Sequence, residues 1–476
     1  MIVAVLELLK PLLIRLAVGF LSEENVSGQL EKNVRNKTRK QSKTTVGKKI
    51  GIRESSSISE LPLTGYDFYL PFFKNPREGD FIYPLKDYVR SHTSGTMGKP
   101  KVYLLPASGL KTLLRKTAAS LFFVSTYDGE KYNFSFGDTL YINVPGGAFI
   151  TNIASNVMTA NSSGLIKIVP ENRNNMTFQE KVDYFVDHYK EIDMAQMTVT
   201  TLLDDIRPRI NDRLNLKAFI TLDSSAEPMK EQIKEFVGTY PMTPYASTES
   251  MVCTLPSVGY PGGFFFDWRV IYPEFIPEEK ALDYGVDMYN DHPEVIPLRD
   301  VEVGKRYQLI ITPFYNDLTR YLTSDILECV SLDDKVLKVK TPVFRFYSRA
   351  DKLVSLHNFT RINEHEIIMV LQNADVSFVE FTVRKELEGT KEFMVLYIEL
   401  SGEMDAEAIK TRVHEEFMKV DKDWRDLTNM MNYNPLKIKL LPRGSFKRFL
   451  SRREGMPRIA HIDMNDEQFR ELVGAA

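Results

Sequence analysis

The sequence predicts an α/β protein with a large amino-terminal domain of several sheets and a small, mobile carboxyl-terminal α+β domain. The chain has 476 residues, 43% of them hydrophobic, which is too long for one ordinary domain and enough for a large core. From Ser59 onward, strand-like runs alternate with helix-like runs, as in α/β proteins. After Arg349 the pattern changes to a hairpin, a helix and a strand. We therefore predict an amino-terminal helix and basic connector at 1–58, a large domain at 59–349 and a small domain at 350–476.

The elements of the large domain are predicted from periodicity. Strands rich in apolar and β-branched residues are expected at 139–144, 165–169, 218–222 and 308–312. Apolar residues at helical spacing predict helices at 177–190 and 227–237. This alternation favours largely parallel sheets.

In the small domain, segments 376–383 and 393–400 predict a β-hairpin that turns at 388–390. An amphipathic helix follows at 405–420, with Asp405 as its N-cap, and a strand at 435–441 completes the unit.

The first twenty residues are apolar, but Glu7, Lys10 and Arg15 interrupt them and Pro11 breaks the run, which is poor for a membrane span. No basic segment precedes the apolar stretch, so a signal peptide is not expected either. A helix docked on the domain is the favoured interpretation over a membrane-surface anchor. We expect a cytoplasmic protein without membrane contact.

Segment 32–49 is rich in Lys and Arg and has no acidic residue, which predicts a mobile, solvated connector, with an acidic partner as the alternative. The net charge of −3 gives no general attraction to nucleic acid. The only cysteines, Cys253 and Cys329, form no disulfide framework, and neither has a metal-ligand companion in sequence.

Residues 93–101 carry the strongest functional signal. They read Thr93-Ser94-Gly95-Thr96-Met97-Gly98-Lys99-Pro100-Lys101. Glycine-permitted backbone N–H groups surrounded by hydroxyls and ammonium groups suit phosphate oxygens. The segment is not the P-loop of kinases and GTPases, because that motif has four residues between its glycines and a Ser or Thr after the lysine. An ordinary turn is the alternative interpretation.

Four further segments accompany this loop along the chain. They are Tyr245-Ala246-Ser247-Thr248-Glu249, Arg320-Tyr321-Leu322-Thr323-Ser324-Asp325-Ile326, Ser348-Arg349-Ala350-Asp351-Lys352-Leu353 and Leu441-Pro442-Arg443-Gly444-Ser445-Phe446-Lys447-Arg448. In this order, the five segments resemble the motifs of the adenylate-forming superfamily, which includes acyl-CoA synthetases and luciferases. Two branches look most similar: phenylacetate-CoA ligase, and the auxin-conjugating acyl-acid amido synthetases. Both also carry a Leu-Pro-x-Thr segment like Leu61-Pro62-Leu63-Thr64.

The resemblance implies a nucleotide site. Its phosphate-binding residues would be Thr93, Ser94, Gly95, Thr96, Gly98, Lys99 and Lys101. The adenosine would be bound by Tyr245, which stacks on adenine, by Ala246 and Ser247 beside it, by Asp325 on the ribose hydroxyls and by Arg349 on the ribose or phosphate. Ser225, Ala226 and Glu227 would border the adenine, although the glycines usual in that turn are missing here.

The resemblance also implies three catalytic residues. Thr248 would contact the α-phosphate and Glu249 would bind Mg²⁺, which prefers one or two carboxylates together with phosphate oxygens. Lys447 would bridge the carboxylate and the α-phosphate, with Asp351 as the hinge. A solvated basic face is the alternative for Lys447, since basic residues are frequent between Lys437 and Arg453.

These motifs predict an ATP- and Mg²⁺-dependent enzyme that converts a small carboxylic acid to an acyl-adenylate, releases pyrophosphate and transfers the acyl group to an acceptor. CoA is the main expectation for the acceptor, and an amino acid or amine is the alternative. A non-catalytic nucleotide-binding or membrane-surface relative is the alternative of another class. Segment 145–152 lies where relatives place part of the acyl pocket, but it does not identify the acid, and the oligomeric state stays open.

Overall fold

The computed structural model describes residues 2–92, 101–144, 150–161, 165–199, 201–223, 226–227, 229–282, 288–289, 293–350, 352–354, 356, 360, 362–388, 391–431, 433–453, 458–462 and 464–474. The chain forms two compact units. The first contains Met1–Thr93 and Val102–Tyr347, and the second contains Ser94–Lys101 and Ser348–Ala476. The predicted domain boundaries after residues 58 and 349 stay predictions.

The first unit contains both helices and strands. Its helices are α1 (Ile2–Val18), α2 (Val26–Gln41), α3 (Thr45–Ile50), α4 (Tyr66–Lys74), α5 (Ala107–Ser125), α6 (Ile150–Asn161), α7 (Phe178–His188) and α8 (Lys230–Val237). Its strands are β1 (Leu63–Thr64), β2 (Tyr88–His92), β3 (Val102–Pro106), β4 (Thr139–Ile142), β5 (Lys167–Val169), β6 (Met194–Gln196), β7 (Ala218–Ile220), β8 (Pro241–Met242), β9 (Ala246–Ser247), β10 (Met251–Val252), β11 (Thr254–Pro256), β12 (Phe264–Phe266), β13 (Ile271–Pro277), β14 (Met288–Tyr289), β15 (Ile296–Pro297), β16 (Arg306–Pro313), β17 (Tyr321–Ser331) and β18 (Val343–Arg349).

The second unit is smaller and mixes the same two kinds of element. Its helices are α9 (Glu364–Asn373), α10 (Ala406–Val420), α11 (Lys422–Met431), α12 (Ser445–Ser451) and α13 (Asp466–Gly474). Its strands are β19 (Leu353–Val354), β20 (Ile362–Asn363), β21 (Phe378–Glu388), β22 (Lys391–Leu400) and β23 (Leu436–Leu440). The α/β class predicted for the large domain and the α+β class predicted for the small one are confirmed.

The predicted parallel arrangement holds for one of the two large sheets. Strands β5, β4, β6, β7 and β8 lie in that order and pair in parallel. In the nine-stranded sheet, ordered β11-β12-β18-β17-β16-β13-β15 with β1 and β14 beside it, the expectation is wrong. There β16 is antiparallel to both β13 and β17. A short turn joins β16 to β17, whereas parallel neighbours need a crossover of about a dozen residues.

The elements predicted for the small domain are confirmed. β21 and β22 pair in antiparallel fashion, and β23 adds in parallel to β22. The Asp405 side chain caps α10 by accepting hydrogen bonds from the backbone N–H groups of Glu407 and Ala408, at 3.0 and 3.2 Å. Part of the predicted turn, residues 389–390, lies outside the described residues.

The amino-terminal helix is docked, as predicted. The Ser120 hydroxyl on α5 donates to the Ala17 carbonyl at 2.6 Å, and the Phe136 N–H donates to the Glu7 carboxylate at 2.7 Å. The outer face of α1 exposes Leu8, Leu12 and Leu16, at 82%, 54% and 69% of their surface. Among the helices of the described chain, none is both long and apolar enough to cross a bilayer.

The prediction of a solvated connector at 32–49 is wrong. Most of this segment is helical, in α2 and α3. Apolar and polar residues at helical spacing give α2 a buried face, formed by Leu30, Val34, Lys37, Thr38 and Gln41. The other basic residues of α2 lie on its solvent side. Their charge led to the prediction of a solvated segment, although the opposite face of the helix packs against the core.

Candidate functional site

Several residues of the predicted site lie outside the described residues. They are Thr93, Ser94, Gly95, Thr96, Gly98, Lys99, Ser225 and the hinge residue Asp351. The strands on either side of the predicted phosphate loop are described, and β2 and β3 form an antiparallel ribbon from Tyr88 opposite Pro106 to His92 opposite Val102. Lys101 is half-buried immediately before β3.

Tyr245 and Asp325 are brought together by the fold. The Tyr245 hydroxyl donates to Oδ2 of Asp325 at 2.6 Å. The ring of Tyr245 stacks on Phe264 on β12, with centroids 5.4 Å apart, and only 8% of Tyr245 is exposed. Burial, then the neighbouring Asp325 carboxylate, raises the pKa of the Tyr245 phenol well above its usual value. The phenol therefore stays a donor and orients one oxygen of the carboxylate predicted to bind ribose.

A bulge in β17 displays Asp325. The β16–β17 pairing shifts between Gln308, which faces Ile326, and Ile310, which faces Leu322. The Gln308 amide donates to the Thr323 carbonyl at 2.9 Å, and the Thr323 hydroxyl donates to the Leu309 carbonyl at 2.8 Å. Bulges of this kind re-aim side chains and are frequent beside active sites.

Glu249 is held through both its side chain and its backbone. Its Oε1 accepts a hydrogen bond from the Tyr103 hydroxyl at 2.8 Å, and that hydroxyl lies 2.7 Å from the Tyr321 hydroxyl. Its backbone carbonyl accepts from the Asn316 amide at 2.8 Å. Tyr103 and Tyr321 are buried, whereas Glu249 is half-buried. The carboxylate is thus oriented from the protein side and still partly accessible.

The rest of the 245–249 motif forms a compact turn. β9, which is Ala246–Ser247, pairs with β10. The Ser247 and Ser250 hydroxyls lie 3.0 Å apart, and each accepts a hydrogen bond from the other residue's backbone N–H at 3.1 Å. Thr248 is buried at the tip of this turn. The turn presents Thr248 and Glu249 side by side.

Cys253 lies directly behind Tyr245. Its Sγ is 4.0 Å from the Tyr245 carbonyl oxygen, and the thiol is fully buried. Burial raises its pKa to about 12.

The predicted adenine turn is only partly described. The Ala226 N–H donates to the Asp223 carbonyl at 3.2 Å, and the Asp223 carboxylate accepts from the Val199 N–H at 2.7 Å. Glu227 forms ion pairs with Lys230 at 3.0 Å and Arg345 at 3.7 Å. Its charge is therefore largely compensated by neighbouring cations.

Arg349 and Lys447, like Lys101, belong to the second unit. Arg349 is half-buried at the end of β18, and Lys447 is exposed on α12. Within this unit, the buried Glu399 carboxylate accepts from the backbone N–H groups of Gly444 and Phe446, at 2.6 and 3.1 Å. These bonds fix the turn before Lys447, while Phe446 and Phe449 pack inward.

A magnesium ion in the first unit would need phosphate oxygens or waters for most of its ligands. Within the described ranges, no cluster of three or more His, Cys, Asp or Glu side chains could hold a metal alone. Glu249 offers a half-buried carboxylate with one oxygen engaged by a phenol. One protein carboxylate completed by waters and substrate phosphates is a common way to bind Mg²⁺.

Sequence reasoning missed the residues that support this site. Tyr103 and Asn316 contact Glu249, Phe264 contacts Tyr245, and Gln308 bonds the carbonyl of Thr323 near Asp325, but none of these four residues stands in a predicted motif. The contacts join residues between 15 and 146 positions apart, so no local spacing could have identified them. Tyr321 stands inside a motif, but no role was predicted for it.

Residues 264–349 match the GH3 family central domain. The matched segment runs from β12 to β18 and contains both the stacking partner of Tyr245 and the bulge that carries Asp325. The resemblance to the adenylate-forming superfamily, and to its amido synthetase branch, is confirmed.

Relatives named in sequence and structure comparisons point the same way. The jasmonoyl–L-amino acid synthetase GH3.5 of Oryza sativa subsp. japonica is 22% identical over 258 residues, which are 48% of this chain and 41% of that protein. The chain thus spans about two-fifths of the length of that curated relative. The solved structure of AtGH3.15 acyl acid amido synthetase in complex with 2,4-DB has a TM-score of 0.73 at 15% identity, covering 98% of this chain and 95% of that one. A 2-hydroxyisobutyryl-CoA ligase with 2-HIB-AMP has a TM-score of 0.65 at 14% identity, covering 94% and 90%. At these identities the two structures establish the fold.

Proposed function

We propose that this chain is an ATP-dependent, AMP-forming ligase that activates a carboxylic acid and joins its acyl group to an amino acid or amine. The observation that carries the proposal is the match of residues 264–349 to the GH3 central domain, together with a relative named as an amino acid synthetase. The paired positions of Tyr245 with Asp325 and of Tyr103 with Glu249 support a nucleotide site within the same unit.

The acceptor differs from the main expectation of the sequence. CoA was expected first, but the GH3 match and the amino acid synthetase relative support the amide-forming alternative better. Thioester formation remains the second candidate, because a CoA ligase shares the fold and Lys447 resembles the lysine of such ligases.

In the proposed first half-reaction, an oxygen of the substrate carboxylate attacks the α-phosphorus of ATP. The bond to the β-phosphate breaks, and pyrophosphate leaves. A magnesium ion held by Glu249 would neutralise charge on the phosphate oxygens. Thr248, beside Glu249, would donate to an α-phosphate oxygen, and the 93–101 loop would hold the outer phosphates. Such catalysis depends on positioning and electrostatics, so the fixed orientation of Glu249 matters.

Asp325 would accept hydrogen bonds from the ribose hydroxyls. Its Oδ2 already accepts from Tyr245, which limits rotation of the carboxylate. Because Tyr245 is stacked on Phe264 and little exposed, adenine would contact the remaining accessible part of its ring. The partly buried Tyr245–Asp325 hydrogen bond would therefore couple the base-binding and ribose-binding residues.

In the proposed second half-reaction, the neutral amine nitrogen attacks the acyl carbon. The acyl–phosphate oxygen bond breaks, AMP leaves with the electron pair, and the nitrogen loses a proton to solvent. Arg349 and Lys447 belong to the second unit, and their predicted roles on phosphate remain part of this proposal.

The test is pyrophosphate release with ATP and Mg²⁺ across a panel of carboxylic acids, with no acceptor, with CoA, or with an amino acid mixture. Acid-dependent release that rises with amino acids, with the amide detected by mass spectrometry, is the expected result. A rise with CoA alone would establish the second candidate. If no acid gives release, calorimetry with ATP and Mg²⁺ would separate a non-catalytic nucleotide-binding protein from a chain without a nucleotide site.

Glu249→Gln tests the site itself. The neutral amide keeps the shape but loses the charge, so we expect acid-dependent release to fall by about 100-fold or more with little change in melting temperature. Glu231→Gln, at an exposed position on α8, is the matched control and should behave like the wild type. Normal activity of Glu249→Gln would exclude the magnesium role.

A further inference from the structure

The turn between β16 and β17, residues 313–319, is organised by a buried lysine from α2. Lys37 is 3% exposed, and its ammonium donates to the backbone carbonyls of Pro313, Asn316 and Leu318, the second at 3.0 Å. An ammonium has three donors, so these three carbonyls use all of them. One side chain thereby fixes the main-chain shape of the whole 313–319 turn.

A second residue of α2 strengthens this contact. The Gln41 amide donates to the Asp317 carbonyl at 2.6 Å and accepts from the Thr319 hydroxyl. On α5, Gly109 allows close approach of the Tyr315 carbonyl, because a Cβ there would lie 2.1 Å from that oxygen. The 313–319 turn is therefore held between α2 and α5.

The 313–319 turn connects three parts of the proposed nucleotide site. Asn316 donates to the Glu249 carbonyl at 2.8 Å. The Asp317 carboxylate accepts from the Ile82 N–H at 2.7 Å and from the hydroxyl of Tyr88, the first residue of β2, which leads into the 93–101 loop. The turn itself continues into β17, which carries Tyr321 and Asp325.

Burying a lysine for packing alone would be unfavourable. Removing an ammonium from water is strongly unfavourable unless polar partners replace the water, whereas an apolar side chain of similar length would fill the space without that cost. Here the partners are main-chain carbonyls, whose directions the ammonium fixes. A lysine at position 37 is therefore better explained by its orientation of the backbone carbonyls than by its filling of the protein interior.

We propose that Lys37 is a positioning residue for nucleotide activation, holding the 313–319 turn so that Glu249, β2 and β17 are placed together. The inference rests on the proposed function and adds to it a residue from the amino-terminal helices. Lys37 contacts the turn and acts on the phosphates only through Asn316, Asp317 and β17.

The experiment compares Lys37→Met with Lys40→Met in the full chain, where Lys40 is an exposed basic residue of the same helix. Pyrophosphate release is measured against ATP and Mg²⁺ concentration, well below the melting temperature of each variant. For Lys37→Met we expect kcat to fall by about 10-fold or more and the half-saturating Mg²⁺ concentration to rise several-fold. Lys40→Met should match the wild type. A lower melting temperature with unchanged kcat and Mg²⁺ dependence would mean a structural role only and would overturn the proposal.

Asn316→Ala covers the case in which Lys37→Met does not fold. It keeps Lys37 and removes the bond to Glu249, so the same rise in half-saturating Mg²⁺ is expected, and an unchanged value would overturn the proposal. If the wild type releases no pyrophosphate from any acid, the proposed function fails separately. Calorimetry with ATP and Mg²⁺ then decides, since affinity several-fold weaker in these variants would support the positioning role and equal affinity would overturn it.

Discussion

Lys37, which is buried, and His461, which is half-buried, are basic residues of the two compact units, and their side chains have different partners. Lys37 donates to main-chain carbonyls, and burial lowers its pKa to about 7, with Asp317 acting in the opposite direction. His461 lies between Glu364, 2.9 Å from its Nδ1, and Glu380, 2.7 Å from its Nε2. Burial lowers the pKa of His461, but the two carboxylates outweigh it and raise the pKa to about 10.

The two arrangements do different work. Carbonyl partners belong to the backbone, so Lys37 sets the shape of a turn. Carboxylate partners sit on separate elements, so His461 links α9, through Glu364, to β21, through Glu380. We therefore expect loss of Lys37 to affect function first and loss of His461 to affect stability first.

Arg320 has both kinds of partner, a carboxylate and backbone carbonyls. Its substitution should give the largest change in the free energy of unfolding and tests which kind of partner stabilises the fold more. Arg320 pairs with Glu274 at 3.0 Å and donates to the carbonyls of Ser59, at 3.2 Å, and Leu61, with both ionic side chains 4% exposed. Arg320→Met leaves Glu274 buried without its cation, so the free energy of unfolding should fall by about 4 kcal/mol in urea titrations followed by Trp268 fluorescence.

The double variant Arg320→Met with Glu274→Leu separates the two contributions. It also removes the Glu274 carboxylate that would be left without a cation, so most of the lost free energy of unfolding should be recovered. If it is as unstable as the single variant, the carbonyl contacts to Ser59 and Leu61 matter more than the ion pair.

His461→Asn should lower the free energy of unfolding of the second unit by about 3 kcal/mol, because two carboxylates lose the cation between them. Trp424, fully buried against Phe417, reports on this unit, and Trp268→Phe removes the other tryptophan signal. Lys422→Gln, which breaks an exposed pair with Asp426, is the control and should change stability by less than about 0.5 kcal/mol. Equal effects of the two variants would mean that the His461 cluster is no more stabilising than a surface pair.

The two cations predict opposite dependence of stability on pH. The folded-state pKa of His461 lies above its usual 6.5, so its contribution is complete below pH 6.5 and is lost as pH rises through about 10. The folded-state pKa of Lys37 lies below its usual 10.5, so between about pH 7 and 10.5 the unfolded chain binds more protons and stability rises with pH. Because a difference of one bound proton is worth about 1.4 kcal/mol per pH unit, each contribution should change by about 2 kcal/mol between pH 7 and 9.

The measurement is the unfolding free energy of the wild type minus that of Lys37→Met, and of the wild type minus that of His461→Asn, at several pH values. The first difference should rise with pH and the second should fall. If both differences in unfolding free energy change with pH in the same direction, the predicted opposite behaviour of Lys37 and His461 is wrong.

Tyr103→Phe has the smallest expected effect. It tests whether Glu249 is positioned mainly by the bond from Asn316, in the 313–319 turn, to its backbone or by the bond from Tyr103 to its side chain. It removes the donor to the Glu249 carboxylate but leaves the Asn316 bond to the backbone. If the backbone bond dominates, pyrophosphate release should fall by only about 3- to 10-fold, near the value of one hydrogen bond. A fall as large as that of Glu249→Gln would instead show that the phenol controls the carboxylate. Tyr66→Phe, which removes a hydroxyl that bonds the Val102 backbone, is a neighbouring control.

Sequence patterns were sufficient where the determinants are local. The hairpin of β21 and β22, the Asp405 cap and the strand β4 follow from periodicity and capping, which neighbouring residues determine. The antiparallel order of the nine-stranded sheet did not follow, because alternating elements say little about which strand pairs with which. The fold class and the superfamily resemblance were likewise readable from the chain.

Lys37 and the Tyr245–Asp325 bond show why the other contacts could not be predicted from the sequence. Lys37 was assigned to a solvated basic connector because charge runs are usually exposed, and only its three carbonyl partners, more than 270 residues away in sequence, explain its burial. The Tyr245–Asp325 bond spans 80 residues and joins two motifs whose separate roles had been predicted. The roles of the predicted site residues themselves stay predictions.

The position of Cys253 behind Tyr245 gives the chain a built-in chemical reporter. Because burial raises the pKa of the thiol to about 12, reaction with a soluble disulfide reagent at neutral pH requires the surrounding structure to open first. Cys329 is buried as well, so the rate has to be measured at Cys253 itself. That rate then reports how often the structure around Tyr245 opens. A bound nucleotide that stabilises the structure around Tyr245 would slow the labelling of Cys253. Nucleotide binding could therefore be followed without any turnover.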